Sequence, residues 1–355
     1  MGLKILHSAD WHLDSPFVSF SEEQRSFLRQ AQLQIPWKIA RLCRDQHCDL
    51  LLLAGDLFDG AWRRDTLDSV RNALESCGCP VMIAPGNHDP WGPRCPWLES
   101  WPENVHIFSQ KLESVLLKDL GCRIYGAGFS SMDCESLLKD FEAEKEDLFR
   151  IGVFHGDPTN VNSCYNPVTS GQIRQSGLDY LALGHVHSLG GLEVEHTVCG
   201  WPGCPMGRGW DETGVKGCLL VELGDSVQVR PVAMDLPGFF TETAELDKNG
   251  HLDLEKLLPP VGNQNFYRIT LEGCGKPDPR LLQEKRRQFP NLEFLDHTVD
   301  PAELWENAGE DSLRGAYFGL LRDAAREADP DQEKIVLLAA EISRKLLEGR
   351  EVQLP

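Results

Sequence analysis

Apolar residues in this chain fall into short unbroken runs, and the strongest of these empty into histidine, aspartate or asparagine. Leu3-Lys-Ile-Leu-His-Ser8 leads to Asp10-Trp-His12, and Asp49-Leu-Leu-Leu-Leu-Ala-Gly-Asp-Leu-Phe-Asp59 leads through Gly55 to Asp56 and Asp59. Pro80-Val-Met-Ile-Ala84 leads to Pro85-Gly-Asn-His-Asp89, Arg150-Ile-Gly-Val-Phe154 to His155-Gly-Asp157, and Asp179-Tyr-Leu-Ala-Leu183 to Gly184-His-Val-His187. Such runs, bounded by glycine, proline or charge, are expected as strands covered on both faces. Between them the spacing turns helical. Residues 22 to 46 carry it in Phe27, Leu28, Leu33, Ile39 and Leu42 but contain Pro36, which predicts two helices or one kinked helix. Residues 65 to 76 carry it in Leu67, Val70 and Leu74. Strand, polar cluster, helix, strand is an alternating α/β plan.

Further on, short strands are expected near Val105 to Phe108, Ser114 to Leu117 and Cys122 to Tyr125, then a helix around Glu135 to Glu144. Segments 216–222 and 226–233 read as a hairpin turning at Gly224-Asp225 that closes a first domain. The loop Pro90 to Pro102, with Trp91, Trp97 and Trp101, reads as a satellite hydrophobic cluster, with a dimer surface or substrate wall as the functional alternative. Past Asp235-Leu-Pro-Gly238 the pattern changes. Phe266 to Leu271 is expected as a strand, Pro279 to Phe289 as a helix and Leu292 to Thr298 as a second strand. That suffices for a small α/β domain over 236–310. Residues 311–328 and 331–349 predict two amphipathic helices in a C-terminal region, 311–355. In the second, Ile335, Leu338, Ile342 and Leu346 form one stripe, expected to pack internally rather than against a partner.

Composition narrows the class. A chain of 355 residues implies more than one domain, and 41% hydrophobic with 25% charged residues is an ordinary globular balance. No run approaches the roughly 18 apolar residues of a membrane helix. Charge enters the first ten residues too early for a signal peptide, and Leu6 stands where a myristoylation signal needs Ser or Thr. A cytoplasmic location is expected. The twelve cysteines are therefore expected as free thiols; neither Cys77/Cys79 nor Cys199/Cys204 has structural-zinc spacing, so no cysteine metal site is expected. A net charge of -20 argues against a broadly basic nucleic-acid surface. The one basic cluster, Arg280 with Lys285-Arg-Arg287, reads equally as a DNA contact or a solvated helix face.

A lone histidine or aspartate beyond a strand is ordinarily a turn residue. Five polar clusters at five strand ends are a different matter, because side-by-side strands bring them to one edge. The donors are then oxygen and imidazole without thiolate, which suits manganese, iron or zinc better than calcium or copper. Asp56, from the middle strand, is placed to be shared by two ions about 3.5 to 4 Å apart. Such a pair would promote in-line attack of water on phosphorus with no covalent enzyme intermediate.

The ordered series Asp10-x-His12, Gly55-Asp56-x-x-Asp59, Gly86-Asn-His-Asp89, His155 and Gly184-His-x-His187 resembles the calcineurin-like metallophosphoesterases. That resemblance implies a layered β-sandwich flanked by helices over residues 1–235, followed by the small α/β domain in the position of a cap. It also implies that one metal takes Asp10, His12, Asp56 and His187, and the other Asp56, Asn87, His155 and His185. His88 would face substrate, stabilising charge or protonating the leaving oxygen, with Asp59 paired to its ring. Within the superfamily, His7 to Pro16, Ala54 to Asp59, Leu183 to His187, Pro202 to Arg208 and Lys216-Gly-Cys218 are similar to the DNA-repair exonucleases, which include the nuclease subunit of the bacterial SbcCD complex. The implied activity is hydrolysis of DNA phosphodiesters with two divalent ions, manganese first and iron or zinc as alternatives. The implied partners are DNA, a second copy of the chain and an SMC-like ATPase of the SbcC type, with no membrane; Arg208 is a substrate-contact candidate.

Two departures qualify the resemblance. Asp59 stands where archaeal and eukaryotic relatives place histidine, and residues 236–355 carry 15 Lys/Arg against 23 Asp/Glu, acidic for a DNA-capping domain. The enzymatic alternative is a phosphodiesterase or phosphatase for a cyclic nucleotide or nucleotide-sugar pyrophosphate. The non-enzymatic one is a scaffold binding a partner through its C-terminal helices.

Overall fold

The apolar runs become the central strands of two stacked sheets. The structure, a computed structural model, describes residues 2–247, 251–258 and 261–350. The chain divides between Gly238 and Phe239 into two compact units. In the first, β1 (Leu3–Ser8) is followed by α1 (Glu22–Gln32), α2 (Ile35–Asp45), β2 (Leu50–Leu53), α3 (Arg64–Glu75), β3 (Val81–Ile83) and β4 (Val105–Ile107). Then come β5 (Glu113–Leu117), β6 (Cys122–Ala127), β7 (Phe149–His155), α4 (Ser170–Ser176), β8 (Tyr180–Gly184), β9 (Gly190–Val194), β10 (Thr197–Trp201), β11 (Gly217–Leu223) and β12 (Val227–Ala233). One sheet has the order β12-β11-β1-β2-β3-β4 and the other β5-β6-β7-β8-β10-β9. In the first sheet β1 to β4 are parallel, and in the second β6, β7, β8 and β10.

Strand alternation assigns the two faces. Leu50, Leu52 and Ala54 point into a buried cluster with Ile124, Ile151, Val153 and Ala182 of the opposite sheet, so the sheets form a sandwich. Leu51 and Leu53 lie on the other face and are also fully buried. Pro36 falls in the first turn of α2, where its missing N–H costs nothing, so the chain makes two helices rather than a kinked one. The tryptophan loop is a satellite cluster: Trp97 is buried with its indole donated to the Asp89 carbonyl, Trp101 stacks on it at 5.6 Å, and Trp91 donates to the Phe108 carbonyl at 2.9 Å.

The expected helix at Glu135 to Glu144 does not form. Leu138, Phe141 and Ala143 are buried against the second sheet from irregular chain, with Asp140 in the left-handed region at φ 58°. Side chains replace the helical hydrogen bonds: Leu137 N–H donates to Asn166 Oδ1 at 2.7 Å and Glu144 N–H to Tyr125 Oη at 3.0 Å. Elements with no strong apolar run went unpredicted, namely α4, β9 and β10.

The second unit begins with a further unpredicted strand, β13 (Phe239–Glu245), followed by β14 (Phe266–Glu272), α5 (Pro279–Gln288), β15 (Leu292–Asp296), α6 (Pro301–Leu304), α7 (Leu313–Glu327) and α8 (Pro330–Leu347). Its sheet, β13-β14-β15, is wholly parallel. The expected stripe on α8 is not internal packing: Ile335 is 68% and Leu346 64% exposed, whereas Leu337 and Ala340 are buried with Phe318 of α7. Residues 351–355 of the expected C-terminal region lie outside the described residues.

Candidate metal centre

The five polar clusters do meet, but across two sheets rather than along one. β1, β2 and β3 deliver Asp10, His12, Asp56 and Asn87 from the first sheet; β7 and β8 deliver His155, His185 and His187 from the second. The seam is stitched by His155, whose Nδ1–H donates to the Ala54 carbonyl at 2.8 Å. That bond leaves Nε2 facing the cluster, 2.9 Å from Asn87 Oδ1 and 3.3 Å from Asp56 Oδ2.

Four of these residues hold a left-handed backbone that non-glycine residues rarely adopt: Asp10 (φ 54°), His12 (44°), Asp56 (52°) and His185 (86°). Hydrogen bonds hold them there. Asp10 N–H donates to the Gly55 carbonyl at 3.0 Å, His12 N–H to the Asp56 carbonyl at 2.9 Å, and His185 N–H to the Asp10 carboxylate at 3.0 Å. Backbone strain concentrated at one cluster is a mark of a functional site. Gly86 is required by the same crowding, since a Cβ there would lie 2.1 Å from Asp56 Oδ1.

Three groups of side chains bring ligand atoms within 4.8 Å of one another: Asp10, His12 and His187; Asp10, Asp56 and His155; and His12, Asp56 and His88. Asp10 and Asp56 are 1% exposed, and His12 and His155 fully buried. The Nε2 atoms of His12 and His187 face each other at 3.2 Å, while their Nδ1 atoms are taken by Asp59 (3.3 Å) and Glu212 (2.7 Å). Imidazoles aimed inward among buried carboxylates, with their outer nitrogens fixed by carboxylates, fit divalent cations. Asp10, His12 and Asp56 each belong to two of the three groups, and Asn87 Oδ1 joins the cluster through His155 Nε2 at 2.9 Å.

The electrostatics agree. Burial raises the Asp10 carboxyl above its usual range, and burial lowers His12 and brings His185 to about 4, so both rings are neutral and carry free lone pairs. Burial alone would lower His155 too, but Asp56 and Asp10 push it up to about 9. Without a cation its ring supplies the positive charge those carboxylates demand; a divalent cation there would take over that role and leave Nε2 free as a donor. Asp56 is held below the usual carboxylate range despite burial, by His155, His12 and His88.

His88 stands apart in exposure, with 38% of its side chain open to solvent and Nδ1 3.0 Å from Asp59 Oδ1. Asp59 also accepts from Ser15 Oγ at 2.9 Å and contacts His12, so it braces two rings. Arg208, expected at substrate, turns its guanidinium onto Glu212 and reaches to 3.9 Å from Asp59. Glu212 was missed by the sequence reading, and Asp89 was named in its motif without a role. Glu212, 4% exposed, orients both His187 and Arg208 from a loop with no periodic signal. Asp89, 3% exposed, accepts from the N–H groups of Leu57, Phe58 and Gly86, tying the Asp56 loop to the Asn87 loop; burial and Asp56 push its carboxyl up to about 7.

Residues 3–189 match the calcineurin-like phosphoesterase family model. The chain belongs to this family. It is 34% identical over 236 residues to an uncharacterised metallophosphoesterase, YhaO, of Bacillus subtilis, a match covering 62% of this chain and 57% of that protein. It is 30% identical over 91 residues to the SbcD component of the nuclease SbcCD of Escherichia coli K12, covering 24% and 21%. The SbcD component of Staphylococcus epidermidis is 19% identical over 336 residues, covering 84% of this chain and 86% of that one. The chain thus spans little more than half of YhaO. No helix among the described residues is long and apolar enough to cross a membrane.

Proposed function

We propose that the chain is a two-metal phosphodiesterase that hydrolyses DNA from its ends. The observation that carries the reading is the cluster itself: seven ligand-type side chains from five strands, five of them buried and His185 and His187 partly so, with a half-exposed histidine braced by a carboxylate at its mouth. One ion is assigned to Asp10, His12, Asp56 and His187, the other to Asp56, Asn87, His155 and His185, with manganese as the first choice of metal. When bound, the ions supply Lewis-acid activation of water and charge stabilisation at phosphorus. The chain's own residues do the rest. Glu212 and Asp59 fix the rings of His187 and His12. The hydrogen bond to Asp59, opposed by partial burial, raises His88 above an ordinary imidazole and so favours its charged form. His88 then stabilises the phosphoryl oxygens or protonates the leaving oxygen, and Arg208, anchored by Glu212, lies within reach of a phosphate.

Likeness to the SbcD component of a bacterial nuclease along most of the chain supports DNA as substrate. By the same likeness the enzyme works in the cytoplasm as a homodimer with an SMC-like ATPase. An acidic second unit favours the other reading, a small-molecule phosphodiesterase acting on nucleotides. The manganese-loaded full chain and its His88→Ala variant, offered end-labelled DNA, a generic diester and a nucleotide panel, separate the two. Cleavage of DNA that is lost in the variant is expected. Turnover of nucleotides with intact DNA would assign the enzyme to small molecules.

A further inference from the structure

Four of the twelve free cysteines meet at one place, far along the strands from the phosphoesterase centre. Cys43 lies on the buried face of α2, and Cys48 follows that helix, donating its N–H to the Cys43 carbonyl at 2.9 Å. Cys77 and Cys79 follow α3, on either side of Gly78, whose φ of 78° turns the chain between them. Arg44 binds the two helix ends together, donating to the Ser76 carbonyl at 2.7 Å and to its hydroxyl at 3.0 Å. Strand pairing brings the same residues together independently. Cys48 and Cys79 immediately precede the parallel neighbours β2 and β3, whose registers meet at Leu51 and Val81. The thiols of Cys48, Cys77 and Cys79 all act on the Cys43 thiol and, with burial, push its ionisation up. Cys43, Cys77 and Cys79 are buried and Cys48 is partly exposed.

We propose that Cys43, Cys48, Cys77 and Cys79 form a second metal site, a four-thiolate site for a soft divalent cation of the zinc type. Four sulfur donors with no oxygen or imidazole among them select such an ion over the harder metals suited to the phosphoesterase centre. A divalent ion on four thiolates keeps two negative charges, and three basic side chains near the cluster offset them and the opposing charge of Asp49. Lys4 and Arg230 act on Cys48 and hold Gln46 between them, at 3.2 Å from its carbonyl and 3.0 Å from its side chain; Arg44 acts on Cys77.

The two sites differ in readiness. At the phosphoesterase centre ligand atoms in groups of three already lie within 4.8 Å of one another, whereas the four cysteines, as the structure describes them, form no such group. Closing them on an ion requires the thiols to move, which the turn at Gly78 and the partly exposed position of Cys48 allow. Cys43 and Cys48, with four residues between them, have a spacing that zinc pairs use, and Cys77 and Cys79, with one, do not; the two pairs meet because α2 and α3 end side by side. An ion there fastens both helices to the starts of β2 and β3, the strands whose far ends carry Asp56 and Asn87.

Cobalt(II) distinguishes this site from the other, because only thiolate ligands give an intense charge-transfer band in the near ultraviolet. The full chain loaded with cobalt should show that band at one ion per chain. The band should persist in Asp56→Asn and Cys274→Ser, and should fall to background in Cys43→Ser and Cys77→Ser. A cobalt-loaded wild-type chain without the band would mean that the four thiols merely pack together as small apolar groups, and would overturn the proposal. So would a band that survives both serine substitutions.

Discussion

Each unit ends a parallel sheet in charge, and the two ends are opposites. In the first unit the residues beyond the strands are sealed from water: Asp10 and Asp56 are 1% exposed and His155 is fully buried. In the second, the carboxylates that close β13, β14 and β15, namely Glu245, Glu272 and Asp296, are exposed. Position at a strand end is common to both, so position alone does not make a site. What separates them is burial of charge without enough opposite charge in the protein to neutralise it. A buried ionised carboxylate is costly unless paired, and the first unit tolerates several only by facing them with imidazoles and, by the family's chemistry, with cations.

Substitutions that act on this difference should fall in a definite order. Asp56→Asn removes the carboxylate common to both groups of ligands and should abolish both metal binding and turnover, read by metal analysis and diester hydrolysis on the same sample. Its counterpart Glu272→Gln in the second unit should change neither. His88→Ala should lower kcat by about 10²- to 10⁴-fold, the usual range for a lost proton donor, while the metal content stays at the wild-type value. A parallel loss of metal would make His88 a ligand instead.

Asp59→Asn and Glu212→Gln should each cost about 10- to 100-fold, as for residues that orient metal ligands, with Glu212→Gln acting through weaker metal affinity. Asp59→Asn has a second signature. Asp59 favours the charged His88 ring, so the wild-type rate should fall as pH rises through a pKa above that of free imidazole. Removing the carboxylate should move that fall to lower pH, which a pH–rate profile reads directly.

The smallest effects belong to α8. Ile335→Ser is expected to change stability by no more than about 0.5 kcal/mol, as at other exposed positions. Leu337→Ala, one of the buried contacts with α7, should cost about 2 to 4 kcal/mol. Thermal unfolding of the two variants tests which face of the helix is packed.

That contrast shows where the sequence was legible. The metal cluster could be read because each donor sits within a few residues of a buried apolar run, and the run fixes where the donor must lie. Glu212 could not, since its loop between β10 and β11 has no period and its partners are up to 25 residues away. The α8 stripe misled for a simpler reason. Its packed face is Leu337 and Ala340, of which Ala340 is too small to mark a stripe and Leu337 stands directly beside Leu338 in sequence. At 135–144 the apolar spacing mimics a helix, yet the left-handed Asp140 and hydrogen bonds to Asn166 and Tyr125 hold the chain in another shape. Side-chain pattern reports which residues are buried; it does not report which backbone buries them.

The central claim is that Asp56 is shared by two ions. Electron paramagnetic resonance of the full chain titrated with manganese tests it most directly. Two ions bridged by one carboxylate should give an exchange-coupled spectrum that is complete at two equivalents and absent from Asp56→Asn. An uncoupled, single-ion spectrum at two equivalents would contradict the account.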